Sequence, residues 1–512
     1  MRLKKLMKNG FFSLLSQMVL LFFGFFSQRA MTLYMGKELV GMNGVVSNVI
    51  AILSVSELGI STAIIYHLYS VLAVKDKKGI SALMNLYRRA YQIFALMISV
   101  LGLLLLPFIH LFMKDNSYSV SYVRVLYLLW LFRTMISYPL SYKKSLLIAD
   151  QKEYVVSIAT LLTNVLNYSA VIGIVMFSRR YLLALGLNII VECSINLWIS
   201  AYVDRKYPYL AEGRKDKLQR NTVEMILADL KNIFVSRVSL KLLNCTDNLI
   251  ISGFLSVGAV GLYSNYCLIT QTIGNIMINL GNTIQPAVGN LFTEKNQERN
   301  YQVLRQLTFA FFVVIASVGA GVFGLVTPFV TDIWLGDAYG LGISVRALCV
   351  ANCVLQVMGL PLSIVMGVSG MFHKERNLML FSAAANLVLS LVLARPLGML
   401  GVLLGTFAAY LIQILYRGVV FFRDYLGPAI NGIRYLEDCL EYALLLVLEI
   451  AGCNFLTEVI YRKGNLLLFV LCGILCVALP AGCNMALFFR SYRFQSLLEM
   501  LQGMQKGRKG LK

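Results

Sequence analysis

The chain has little charge, and of that little most is basic. Of 512 residues only 14% are charged, and 25 Asp and Glu stand against 46 Lys and Arg. A soluble domain carries about 25% charged residues, and one this apolar would expose patches that promote aggregation. Histidine is scarce: His67, His110 and His373 are isolated in the sequence and read as packing or loop residues. The ten cysteines include no CxxC pair, which argues against a zinc or redox motif. Cys349/Cys353 and Cys472/Cys476 lie at helical spacing inside apolar runs, where thiols behave as small hydrophobes. Neither a GxxxxGK(S/T) phosphate loop nor an HExxH helix occurs. No catalytic residue, metal or cofactor is expected, and the chain reads as a non-enzyme. A secretory signal is not evident either, because no small-residue cleavage site follows the first apolar run.

What the chain does have is long apolar runs. Hydrophobic residues make up 58% of it, and the mean hydropathy is +0.72. Runs of about 20 residues cross the ~30 Å hydrocarbon core as helices. They fall near 10–35, 43–74, 90–113, 121–149, 154–177, 180–203, 228–256, 259–291, 303–331, 343–370, 376–396, 399–422, 438–460 and 465–490. Charges interrupt 228–256. The expectation is an all-α polytopic membrane protein of about fourteen transmembrane helices. With both termini in the cytoplasm, thirty-two bases fall on the inner side and nine on the outer, an asymmetry that follows the positive-inside rule. A basic surface against anionic lipid accounts for the net charge of +21 without nucleic acid.

The second half echoes the first. Asp115 recurs as Asp337, Val123-Arg124 as Val345-Arg346, Pro139-Leu140-Ser141 as Pro361-Leu362-Ser363. Lys152-Glu153 recurs as Lys374-Glu375 and Asn164 as Asn386, all 222 residues apart. Pro107-Phe108 and Pro328-Phe329 match at 221, and Val40-Gly41 and Val260-Gly261 at 220. An offset of six helices makes this a parallel repeat, and transporters built from repeats hold substrate between the halves. The expected division is an N-terminal lobe at 1–203, a basic cytoplasmic linker at 204–227 and a C-terminal lobe at 228–424. A helix pair and basic tail at 425–512 complete it.

Charges inside spans are costly and usually face a cavity. In the seventh span Arg237, Lys241, Asn244 and Asn248 follow the 4, 3, 4 spacing of one helical face, with Asp247 at its edge. Arg29 lies in the first span, Glu57 in the second, Arg133 in the fourth and Glu192 in the sixth. Arg133 and Glu192 are candidates for mutual pairing. A base-rich cavity attracts an anion, and a diphosphate suits arginine's planar fork of donors. Asn265, Asn275, Asn279, Asn282 and Gln285 stud the eighth span, where amides commonly serve as packing glue.

Three stretches resemble the Wzx-type polysaccharide flippases of the multidrug/oligosaccharidyl-lipid/polysaccharide exporter superfamily. They are QRAMTLYMGKELVGMNGVVSN at 28–48 with ELGISTAIIYHLYSVLAVKD at 57–76, TDNLIISGFLSVGAVGLYSNY at 246–266, and PLSIVMGVSGMFHKERN at 361–377 with AANLVLSLVLARPLGMLGVLLGT at 384–406. The resemblance implies two six-helix lobes forming a V, alternating access, and no nucleotide hydrolysis. Its implied cargo is an oligosaccharide on a polyprenyl diphosphate, moved from the inner to the outer leaflet of the cell membrane. Arg29 matches the arginine of the family's first helix, and Asp247 the acid after the polar face of its seventh. Substrate binding is therefore assigned to Arg29, Arg237, Lys241, Asn244 and Asn248. The coupling or cavity acids are Glu57 and Asp247, with a proton or sodium ion as the coupling candidate. A lipid II-type flippase and a small-molecule or drug exporter of the same superfamily are the alternatives. A membrane polymerase or glycosyltransferase ranks lower, because the outer connections are short.

Overall fold

The computed structural model describes residues 2–54, 60–115, 117–212, 218, 223–224, 238–239, 241–243, 245–292, 296–428, 430–491 and 493–495, with backbone alone for 2–14, 60–63, 66, 70, 211 and 212. Among the described residues there is no strand. Eleven helices among the described residues are long and apolar enough to cross a membrane. The protein is an all-α, polytopic membrane protein.

The predicted spans outside those eleven have separate explanations. Helix α1 (Arg2–Leu53) runs through the first span and into the second, and α2 (Ile60–Ala73) completes the second. A straight helix of 52 residues would reach about 78 Å, more than twice the hydrocarbon core. It is broken at Gly36, whose φ of 85° and ψ of 167° favour a residue without a Cβ. Of 228–256, the described part includes 241–243 and the helical stretch α9 at 245–254. The third, 259–291, is a complete helix, α10 (Val257–Phe292), with the length to span but less apolarity than the others.

The remaining helices repeat in order. In the first half come α3 (Lys77–Leu105), α4 (Val120–Ser141), α5 (Lys144–Ala149), α6 (Glu153–Ser178), α7 (Tyr181–Lys206) and the short α8 (Tyr209–Glu212). In the second come α11 (Gln297–Pro328), α12 (Ile343–Met358), α13 (Leu360–Val368), α14 (Phe372–Leu397) and α15 (Met399–Val420). Packing repeats with them. Helix α3 lies on α4, α4 on α7 and α6 on α7, while α11 lies on α12, α12 on α15 and α14 on α15. The recurrent prolines mark the same events. Pro107 opens a 3₁₀ turn after α3, and Pro328 ends α11 where it widens into the π-helical Phe329–Trp334. Pro139 sits in the last turn of α4, and Pro361 opens α13 just after the break at Gly359. Proline removes an intrahelical donor and crowds the preceding turn, so it sits where a helix begins, bends or ends.

By contacts the chain forms two units, Met1–Ser264 and Asn265–Lys512. In the second, α16 (Ile433–Ile460) and α17 (Leu466–Phe488) pack on α11. Phe312 stacks on Tyr442 with centroids 4.3 Å apart, and Phe309 meets Phe488 edge-on at 5.1 Å. Beside this aromatic cluster the Asp438 carboxylate, buried on α16, accepts from Arg305 of α11 at 2.7 Å and pairs with Arg493 beyond α17. One buried carboxylate thus ties three segments. Removing one member of a buried ion pair leaves uncompensated charge and costs about 3–5 kcal/mol. Asp438→Asn is therefore expected to lower the melting temperature in detergent by several degrees, whereas Glu437→Gln, one residue earlier, should leave it unchanged. An unaltered melt for Asp438→Asn would refute the tie.

Helices α16 and α17 carry exposed Leu444, Leu448, Leu467 and Ile474. Such an apolar exterior is tolerated by lipid and not by water. The four helically spaced cysteines, Cys349, Cys353, Cys472 and Cys476, are buried in the protein, packed as small hydrophobes.

Candidate functional site

Arg29 is on the first segment of α1, before the Gly36 break, and its side chain is exposed. Among the described residues it has neither an ion-pair nor a hydrogen-bond partner. Phe22, Phe26, Arg29 and Leu33 succeed one another at helical spacing on one face. With Phe23, Tyr34, and Ile172 and Met176 from α6, they line a groove of about 590 Å³. The Phe22 and Phe26 rings lie 4.8 Å apart in it. The groove is thus an aromatic trough with one fixed cation.

Arg133 and Glu192 behave differently. Arg133 Nε donates to Glu192 Oε2 at 2.6 Å, and Ser137 Oγ adds a bond to Oε1 at 3.3 Å. The guanidinium also lies 5.0 Å above the Trp130 ring. This is the mutual pairing that the sequence suggested. Beside it is a junction that the sequence analysis missed. Asn43 Oδ1, on the second segment of α1, accepts from Trp130 Nε1 at 2.9 Å and from Tyr181 O–H at 2.8 Å. One amide oxygen therefore joins α1, α4 and α7. The partners lie 87 and 138 residues away, a separation no local pattern reveals.

On the predicted polar face, Lys241 is half-buried, Asp247 is buried and Asn248 is half-buried. Arg237 and Asn244, from the same face, and Glu57 lie outside the described residues. Asn248 meets the second segment of α1: a Cβ added to Gly44 would lie 3.8 Å from its Nδ2. Its Oδ1 is buried with no hydrogen-bond partner. The structure therefore gathers Lys241, Asp247 and Asn248 along one stretch and brings Asn248 to α1, while Arg29 sits in a separate groove against α6.

The two residues singled out by the repeat at offset 220 touch. A Cβ on Gly41 would run into the Val257 carbonyl oxygen, and one on Gly261 into that of Lys37. The second segment of α1 and the start of α10 cross backbone to backbone here, as small residues permit in membranes. The nearby α3–α4 connection reinforces the crossing. Val257 N–H donates to the Lys114 carbonyl at 3.1 Å, and Lys114 Nζ to the Phe254 carbonyl at 3.3 Å. Ser117 donates through its N–H to Glu38 at 2.9 Å and through its hydroxyl at 3.2 Å.

The repeated Lys-Glu pairs also take up matching posts. Lys152 reaches Tyr207, just past α7, at 3.0 Å, while Lys374 pairs with Asp424, just past α15, at 2.5 Å. Glu375 grips the buried Arg417 with bonds of 2.6 to 3.2 Å. Burial, and then its hydrogen bond to Asp150, holds the Tyr207 phenol above its usual pKa. These groups brace the start of α6 against the end of α7, and the start of α14 against the end of α15.

Helix α10 departs from expectation. Asn265 is fully buried, as packing glue should be, but Asn275, Asn279 and Asn282 are exposed. Gln285 is half-buried against Gly367.

The arrangement of helices matches known transporter structures. A lipid II flippase, MurJ, in an inward closed conformation superposes with a TM-score of 0.69 at 15% identity, covering 94% of this chain and 99% of that one. An inward-facing multidrug resistance transporter of the MATE family and MOP superfamily gives 0.66 at 16% identity, covering 79% and 94%. A MOP superfamily transporter from Pyrococcus furiosus, described as having a binding pocket of reversed polarity, gives 0.55 at 14%, covering 81% and 95%. The chain shares the fold of these transporter structures. No family profile and no curated protein matches the sequence.

Proposed function

We propose that the chain is a flippase that carries a polyprenyl-diphosphate-linked oligosaccharide from the inner to the outer leaflet of the cell membrane by alternating access. The carrying observation is Arg29: a guanidinium within a transmembrane helix, exposed and without a counter-ion among the described residues. A charge so placed costs at least ~2.5 kcal/mol at mid-bilayer unless it meets water or an anion. A diphosphate supplies the anion and matches the planar donor fork. Lys241 and Asn248, with Arg237 and Asn244, complete the proposed headgroup site. Asp247 and Glu57 are the proposed coupling acids, for a proton or sodium ion. Both termini are placed in the cytoplasm by the distribution of basic residues.

The second unit supplies a fit for the tail. An apolar groove of about 820 Å³ is walled by α11, α12, α15 and α16, with Phe312, Ile315, Leu411, Leu415, Leu440 and Val447 on its sides. At its edge Arg346 lies 4.5 Å over the Phe323 ring and donates to Thr327 at 3.1 Å. A long hydrocarbon chain enters such a groove at no desolvation cost.

A lipid II-type substrate is the second reading, favoured by the near-complete superposition on a lipid II flippase. Purified protein in proteoliposomes decides between them. Fluorescent polyprenyl-diphosphate oligosaccharide in the inner leaflet is expected to reach the outer one, and lipid II is not. Movement of lipid II alone would reverse the assignment. Flipping that ignores both ion gradients and membrane potential would remove the coupling role of Glu57 and Asp247.

A further inference from the structure

Helix α10 contains no charged residue along its 36 positions. On one side it exposes Gln271, Asn275, Asn279 and Asn282. Their 4, 4, 3 spacing keeps them on a single helical face, and they occupy the middle of the helix, 14 residues from its start and 10 from its end. The side chains of Gln271, Asn275 and Asn282 make no hydrogen bond among the described residues. Facing hydrocarbon, these three amides would each lose their hydrogen bonds to water, at several kcal/mol apiece. As part of a membrane span, such a face requires water or a polar ligand.

Its chemistry selects an occupant. An amide donates and accepts at once, as a sugar hydroxyl does, and carries no charge for an ion to prefer. From Gln271 to Asn282 the ladder rises about 16 Å, the length of about three linked sugar rings. We infer that the amide ladder of α10 is a binding surface for the neutral oligosaccharide portion of the substrate. This deepens the proposed function and rests on it. The ladder sets which oligosaccharides are accepted, by their length and hydroxyl pattern.

The test compares two probes in proteoliposomes: a fluorescent polyprenyl diphosphate bearing an uncharged oligosaccharide of three or more sugars, and one bearing a single sugar. Asn275→Ala/Asn282→Ala is expected to slow the first about tenfold and the second less than twofold. Both variant and wild type must melt at the same temperature in detergent. Should the double variant fail that check, Gln271→Ala and Asn275→Ala are examined singly, with the same selective loss expected at two- to fourfold. Equal slowing of both probes, or none, would overturn the ladder as a sugar site. Wild-type protein that moves neither probe would instead overturn the flippase reading itself.

Discussion

Replacing Arg29 by alanine is expected to slow translocation of the lipid-linked substrate about 10- to 100-fold, because a hydrogen bond to a charged group contributes ~1.5–3 kcal/mol and each 1.4 kcal/mol is tenfold. The protein's stability should not change, since the side chain is exposed and bonds to nothing among the described residues. Arg29→Lys keeps the charge and loses the two-pronged donor geometry, so it should fall between wild type and alanine. A substrate with a monophosphate in place of the diphosphate should narrow the gap between arginine and lysine, because the fork then has fewer oxygens to engage. Initial rates of flipping in proteoliposomes at matched protein density measure all of these. Alanine at wild-type rate would remove Arg29 from the headgroup site.

Alanine at Gly41 or Gly261 should instead damage the fold. In each case the added methyl meets a backbone carbonyl across the helix crossing, and backbone cannot swing aside as a side chain can. Overpacking a tight contact costs about 1–3 kcal/mol, and an immovable neighbour puts these two at the upper end. Each single variant is expected to melt several degrees below wild type in detergent. The double variant should lose less than the sum, because both methyls force apart the same pair of helices. Gly173→Ala and Gly186→Ala are the controls. A Cβ at either meets nothing within 4 Å, and alanine favours a helix over glycine by about 1 kcal/mol. They should be neutral or mildly stabilising. Unchanged melting for Gly41→Ala would mean that the crossing opens without cost.

Residues legible in the sequence were those that stand out by type and local spacing. Arg29 stood out because a lone base in an apolar run has few bland explanations, and Arg133 and Glu192 because opposite charges in lipid seek each other. The exposed amides of α10 had a visible helical spacing, yet packing and hydration use the same residue type at the same period. Only accessibility separates the buried Asn265 from the exposed Asn275 and Asn282. The double role of Asn43 and the three-way tie at Asp438 had no sequence signal, since each joins segments far apart in the chain.

By itself the sequence determined the solvent, the secondary structure and the internal repeat. Lipid admits a twenty-residue apolar run in few conformations, and the recurrent prolines, glycines and charges mark where each helix starts, bends or stops. Tertiary structure decided which polar groups satisfy one another and which are left facing water. That choice depends on neighbours far away in the chain, and the same arginine or asparagine serves either purpose until its surroundings are known.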